Sequence, residues 1–286
     1  MKALITGGGG LLGRHLKGTL KSSVAATRKI CDLNDPAAAL RLIARVRPTV
    51  VFHLAGTTKP LPWNDLWAAH VGVTLNLLTA VRAAAPKAVV VMAGSSAEYG
   101  DPGPRPAKES QECSPFSAYG ASKYSQTLAG LSFGDLDVRV ARVFNAVGAG
   151  LPAHLAAGAF ARQIARVEKG LQKPVIEVGD LAPQRDFVDV DDIALALKAV
   201  AAKGEAGQIY NVGSGQAVPV RRLFDALLSF SKTKIEVRTA KKASHSGALP
   251  KIAADVSKTR RALGWTATTT LEESLCRTLD SWRRAA

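Results

Sequence analysis

Little in this chain would tie it together covalently or hold a metal. Its three cysteines, Cys31, Cys113 and Cys276, are widely spaced, odd in number and form no C-x-x-C pair, which argues against a disulfide framework and a zinc site. The histidines are equally scattered, so no metal is expected. No apolar run approaches the ~20 residues that cross a bilayer, and the opening MKALITGGGG turns glycine-rich too soon for a secretory signal. A cytoplasmic protein with no membrane partner is therefore expected. The long basic run and interleaved aromatics of a nucleic-acid groove are also missing, although the formal charge is +15. The basic residues come instead as pairs (Arg221–Arg222, Lys241–Lys242, Arg260–Arg261, Arg283–Arg284), read first as a solvated surface and second as a preference for small phosphorylated ligands, with no nucleic-acid partner.

What is present is an ordinary globular composition. The 286 residues, 47% hydrophobic and 21% charged, suffice to bury a substantial core in one large domain or two modest ones. Short apolar runs (KALIT, SVAAT, TVVFHLA, AVVVMAG, DVRVARVF) alternate with alanine- and leucine-rich stretches at 11–22, 36–46, 64–85 and 117–131. Strands so uniformly apolar belong in a parallel sheet covered on both faces, and the β-α-β-α-β rhythm predicts an α/β, doubly wound (Rossmann) sheet. After about residue 145 the rhythm changes: helices are expected near 154–169, 189–202, 219–230 and 270–283, strands at PVIEV and QIYNV, and a loop at GDLAPQRDF. The expected organisation is a dinucleotide-binding domain at 1–145 and a smaller C-terminal substrate-binding lobe at 146–286, with 186–213 packing back onto the first.

The loop ITGGGGLLGRHL follows the first predicted strand, and Gly7, Gly10 and Gly13 fit G-x-x-G-x-x-G ahead of an amphipathic helix. Glycine is needed there so that the chain can turn tightly, approach a pyrophosphate and pack helix on strand, with the anion at the helix N-terminus. The end of the second strand selects the dinucleotide. Thr27 and Arg28, with Lys29 beside them, stand where a basic group would meet a 2′-phosphate, so NADP(H) is the expected cofactor. Asp32, about twenty residues beyond the glycine loop, keeps NAD(H) open, although it falls after the strand has ended and is placed to accept instead from the adenine amino group.

Tyr119 and Lys123 of YGASK are i and i+4 on a predicted helix and so share one face. An ammonium and an oxidised nicotinamide would both favour phenolate, making Tyr119 a group that gives a proton to an alkoxide or takes one from an alcohol near neutral pH. Ser95 and Ser96, in VVVMAGSSAEYG, fall at the C-terminal end of the fourth strand, the edge at which open α/β sheets bind ligands.

With TGGGGLLG, HLAG, SSAEYG, YGASK, RVFNAVGAG, VGDLAPQRDFVDVDDIA and DVSKTRRALGW in this order, the chain resembles the extended short-chain dehydrogenase/reductases, the NAD-dependent epimerase/dehydratase family of nucleotide-sugar enzymes, over essentially its whole length. The resemblance implies a catalytic set of Ser95, Tyr119 and Lys123. The family's hydroxyl lies four residues before the tyrosine of Tyr99–Gly100, which points to Ser95 ahead of Ser96. It adds Leu11, Leu12, Leu33, Leu54, Ala55 and Gly56 as cofactor contacts, together with Tyr119 and Lys123 themselves. It implies Asn145 and Arg185 on the substrate diphosphate, with Arg221 a further candidate, and a homodimer built through 64–85 and 117–131; Glu177 has the chemistry to accept from a guanine base and reads equally as an exposed strand glutamate.

The stretch GLQKPVIEVGDLAPQRDFVDVDDI resembles most the enzymes of GDP-deoxyhexose metabolism. Reduction of a nucleotide-linked 4-keto-6-deoxyhexose, a GDP-4-keto-6-deoxy-mannose in the first instance, is therefore expected. A 4-epimerase that retains its NAD is the alternative, and a non-catalytic dinucleotide sensor a more distant one. Dehydration is disfavoured because the position two after Ser95 is Ala97, with Glu98 one residue late. His70 stands where the family has asparagine, and its role is open between a relay or backbone brace and a helix-surface histidine.

Overall fold

A computed structural model describes residues 2–239 and 251–286; the basic pair Lys241–Lys242 lies outside the described residues. Strands β1 (Ala3–Thr6), β2 (Ser23–Ala26), β3 (Val50–His53), β4 (Val89–Ser95) and β5 (Val138–Val143) alternate with helices α1 (Leu11–Thr19), α2 (Pro36–Val46), α3 (Trp63–Trp67), α4 (Val73–Ala84) and α5 (Ala118–Leu131). Between α3 and α4 the helix widens into a π-helical turn, Ala68–Gly72. The second half contributes β6 (Asn145–Val147), α6 (Ala156–Glu168), β7 (Val175–Val178), β8 (Gln184–Asp189), α7 (Val190–Lys203), β9 (Ile209–Val212), β10 (Ala217–Pro219), α8 (Val220–Ser229), β11 (Glu236–Thr239), β12 (Lys251–Ile252), α9 (Ser257–Leu263) and α10 (Leu271–Ala285).

The first sheet is parallel throughout, in the order β2-β1-β3-β4-β5-β9. Strand alternation sends Leu4, Val51, Val90 and Val140 to one face, against Leu42, Ile43, Leu77 and Leu78 of α2 and α4. Ala3, Ile5, Phe52 and Val91 go to the other, against Leu16 of α1 and Ile193, Leu197 and Val200 of α7. Covering both faces is what makes these runs uniformly apolar. The chain leaves β1 in one direction for β2 and in the other for β3, so the topological switch point opens between the C-terminal ends of β1 and β3. The ligand crevice of such a sheet belongs there.

A second sheet, β10-β8-β12 with β6 also on β8, sits beside the first. The stretch read from sequence as the loop GDLAPQRDF therefore contains the start of the central strand of this sheet. Proline and alternating polar residues hid it, because β8 is held by register with β6, β10 and β12 and not by a continuous apolar run. A separate core gathers Phe160, Ile164, Leu223, Phe224, Leu275 and Leu279 from α6, α8 and α10. Leu263 and Trp265, late in the chain, pack into the core beneath the first sheet. Among the described residues no helix is long and apolar enough to cross a membrane.

Candidate functional site

The glycine turn is shaped by close approach. Gly7 has φ +68°, and a Cβ there would come within 2.6 Å of the Leu54 carbonyl oxygen; one on Gly13 would come within 2.4 Å of Gly7 O. Both contacts forbid a side chain, and Gly7 also needs the left-handed region. Gly10 is the N-cap of α1 and offers no side chain to its first turn, which also lacks an acidic residue. The first N–H groups of α1 are thus left for an anion.

A cleft of about 700 Å³ opens beside this turn, lined by Gly7, Thr27, Arg28, Asp32 and Leu33 and, across it, by Ala55 and Gly56. β2 ends at Ala26, so Thr27 and the exposed Arg28 stand directly at its C-terminal end. Asp32 comes later, in a turn where its Oδ1 accepts from Asn34 N (3.0 Å) and Nδ2 (2.8 Å), which hold its carboxyl below the usual range. The side chains of Leu54 and Leu12 pack beneath the first sheet and that of Leu11 against the α6–α8–α10 core. Cys31, Asn34, Thr57, Lys59 and Asp65 line the cleft as well, and sequence reasoning missed them. Only the D-x-N turn of Asp32 and Asn34 carried a readable signal.

At the end of β4 the chain enters a 3-10 turn, Ser96–Glu98, with Ser95 as its N-cap. Ser95 Oγ accepts from Ala97 N at 3.2 Å, and Glu98 Oε1 reaches back to Ser95 N at 2.6 Å, a capping box. Ser96 is buried, at 9% exposure. The Glu98 carboxylate continues into the core, where it accepts from Thr127 Oγ1 (3.0 Å) and pairs with Arg142 (2.8 Å), both partners at most 1% exposed. Helix α5 docks tightly on this turn, since a Cβ on Gly120 would lie 2.4 Å from Ala97 O. That docking brings Tyr119 to Ser95.

Tyr119 is half-buried and meets His70 edge-on, with ring centroids 5.6 Å apart. Burial pushes its phenol up from the ordinary value; a hydrogen bond with Ser95 opposes this and the Glu98 charge adds to it. The expected acidification by Lys123 is thereby corrected for the protein alone: the Lys123 ammonium donates to Ala93 O (2.6 Å) and to Gln126 Oε1, and burial outweighs the rest. Lys123 is itself pushed down by burial, to about 8, with Glu98 pulling it back, so it remains mostly cationic at pH 7.

His70 is no surface residue. The π-helical turn carries it inward to 1% exposure, where burial and then Lys123 hold it down to about 4. Nε2 lies against the Thr57 backbone, 3.2 Å from its N and 3.0 Å from its O, and Nδ1 lies 2.9 Å from Ser122 Oγ; Ser122 in turn donates to Tyr119 O (2.8 Å). His70 is thus a neutral brace between the loop after β3 and the helix of Tyr119.

On the second sheet, register places Asn145 opposite Phe187, so Asn145 and Arg185 share a face one strand and two residues apart. Asn145 Nδ2 donates to Asp186 O, and Arg185, partly buried, donates to Gln184 O. Asp186 is spent elsewhere, accepting from Ser214, Gly215 and Ala254. Arg221 is exposed at the start of α8, with its N–H on Leu181 O, and Glu177 is exposed on β7 opposite Arg238.

Residues 3–213 match the model of the NAD dependent epimerase/dehydratase family. The chain is 30% identical to the GDP-6-deoxy-D-mannose reductase of Pseudomonas aeruginosa, over 98% of this chain and 97% of that one. It is 29% identical to the dTDP-6-deoxy-L-talose 4-dehydrogenase (NAD(P)(+)) of Kitasatospora kifunensis, over 96% and 93%. Among solved structures, RMD from Pseudomonas aeruginosa complexed with NADPH superposes with a TM-score of 0.89 at 29% identity, covering 100% of this chain and 99% of that one.

Proposed function

The chain belongs to the NAD dependent epimerase/dehydratase family, and from that premise we propose that it reduces the 4-keto group of a nucleotide-linked 6-deoxyhexose with NADPH, a GDP-linked sugar in the first instance. The single observation that carries the reading is the direction of Glu98. Removing a proton beside a carbonyl needs a free carboxylate two residues after Ser95; that place holds Ala97, and Glu98 is buried on Arg142. Reduction needs no such base.

The cleft, the uncapped start of α1 and Arg28 fit a phosphorylated dinucleotide: the glycine turn would cradle its pyrophosphate and Arg28 a 2′-phosphate. When bound, NADPH supplies the hydride. Tyr119 gives its proton to the sugar oxygen as that oxygen becomes an alcohol, and the raised phenol keeps that proton available. Ser95, whose Oγ accepts from Ala97 N and which hydrogen-bonds with Tyr119, is placed to turn its O–H to the same oxygen and hold it beside Tyr119. Lys123 stabilises the phenolate left behind. Ser96, Asn145, Arg185, Arg221 and Glu177 are assigned to the nucleotide sugar, with 146–286 as the substrate half, 1–145 as the cofactor half and 186–213 returning to the latter.

The test is NADPH oxidation with GDP-4-keto-6-deoxy-mannose, run beside the dTDP- and UDP-linked ketones and with NADH in place of NADPH. Turnover is expected with the GDP-linked ketone and faster with NADPH. Substrate-independent inertness toward all three would remove the reading. The same reading makes the protein a cytoplasmic homodimer through α4 and α5, whose Leu75 (40% exposed) and Leu128 (52%) are too large and apolar to favour solvent. Light scattering should return about twice the 30.0 kDa chain mass; the mass of one chain at micromolar concentration would exclude the dimer.

A further inference from the structure

A buried chain of hydrogen bonds runs from β1 to Lys123. Its members, Thr6, His53, Thr74, Gln126 and Lys123, are each at most 6% exposed. The Thr74 hydroxyl donates to His70 O at 2.6 Å, so its oxygen must accept from its other neighbours, His53 Nε2 (2.8 Å) and Gln126 Nε2 (3.0 Å). His53 therefore carries its proton on Nε2, and its bare Nδ1 accepts from Thr6 Oγ1 at 2.8 Å. Burial holds this ring neutral, at about 3. The orientation of Gln126 follows as well. Flipped, its NH2 would face the ammonium and its oxygen would face a hydroxyl whose proton is already committed. As oriented, Oε1 accepts from Lys123 Nζ.

We infer that Gln126, aimed by Thr74 and His53, is a positioning residue that holds the Lys123 ammonium in place and in its charged form. Burial makes that charge costly; the Glu98 charge offsets part of the cost from a distance, while the groups in direct hydrogen-bond contact are the neutral Ala93 carbonyl and the Gln126 amide. The groups facing Lys123 support this division. From the 3-10 turn comes Glu98, already paired with Arg142 of β5; from the π-helical turn His70, and from β3 His53, both neutral; from its own helix Tyr119. Asp65 of α3 lines the cofactor cleft, and the one charge of α4, Arg82, lies over the Phe133 ring. β4 presents only the Ala93 carbonyl to the ammonium. Only the catalytic consequence of this network rests on the proposed reduction.

The experiment reads Lys123 directly. In protein labelled with 13C-lysine, the Cε signal of Lys123, assigned by its loss in Lys123→Met, is titrated by NMR with thermal unfolding as a folding check. The wild type should titrate near 8. Gln126→Leu removes the acceptor and should lower the midpoint by about one pH unit; Gln126→Glu adds a counter-charge and should raise it by about one. A merely structural role would move neither or move both the same way, and either result overturns the inference. If the Gln126 variants fail to fold, Thr74→Val should lower the midpoint and Thr74→Ser leave it in place; two unchanged midpoints again overturn it. The alkaline limb of kcat/KM should follow the NMR midpoints. Absence of turnover in a wild type whose lysine behaves as described would remove the proposed function and leave this network standing.

Discussion

Tyr119→Phe is expected to lower turnover of the keto-sugar by roughly 10² to 10⁴ while leaving NADPH affinity nearly unchanged. The substitution deletes one oxygen and keeps the ring, so the edge-on contact with His70 survives and α5 keeps its place on the serine turn. What is lost is the proton. Burial keeps the phenol protonated across neutral pH, the form that reduction consumes, and Lys123, largely charged at pH 7, is positioned to stabilise the phenolate that results. Steady-state rates beside a fluorescence titration of NADPH measure both halves of the prediction. Undiminished turnover would strip Tyr119 of its role as donor; a large loss of NADPH affinity would make it a binding group instead.

Glu98→Ala should be the most damaging single change to stability, by about 3–5 kcal/mol. It leaves the Arg142 guanidinium, 1% exposed, without its counter-charge, and that group already has one buried nitrogen, Nη1, with no hydrogen-bond partner among the described residues. It also frees Ser95 N and Thr127 Oγ1. Stacking of Arg142 over the Tyr99 ring at 4.4 Å would persist but cannot replace a carboxylate. Urea unfolding should show the loss as a lower midpoint with little change in slope. The double variant Glu98→Leu/Arg142→Met, which removes both charges, should recover part of it, because the cost lies in the unpaired ion more than in the lost attraction. A single variant within about 1 kcal/mol of wild type would show that this pair is not buried in solution.

The site is legible in the sequence to very different depths. Gly7, Gly13, Tyr119 and Lys123 stand out because each demand on them is local: a turn that tolerates no Cβ, or two side chains one helical turn apart. The exclusion of Glu98 as a base was half readable. Its offset of one residue could be counted, but its destination on Arg142, forty-four residues away, could not. His70 was open between surface and interior for the same reason, since a π-helical turn leaves no periodic mark and sets which way the ring points. The start of β8 was read as a loop, because a strand interrupted by polar residues and held by three short partners shows no apolar run.

Order along the chain was enough to establish the wound sheet, the glycine turn and the tyrosine–lysine face, all of which depend on residues within a few positions of one another. Thr6, His53, Thr74, Gln126 and Arg142 acquired their roles only when β1, β3, α4, α5 and β5 came together, since a buried donor or acceptor is satisfied by whatever the packing brings within about 3 Å. Local steric rules can be read one residue at a time; long-range polar pairing is a property of the assembled core.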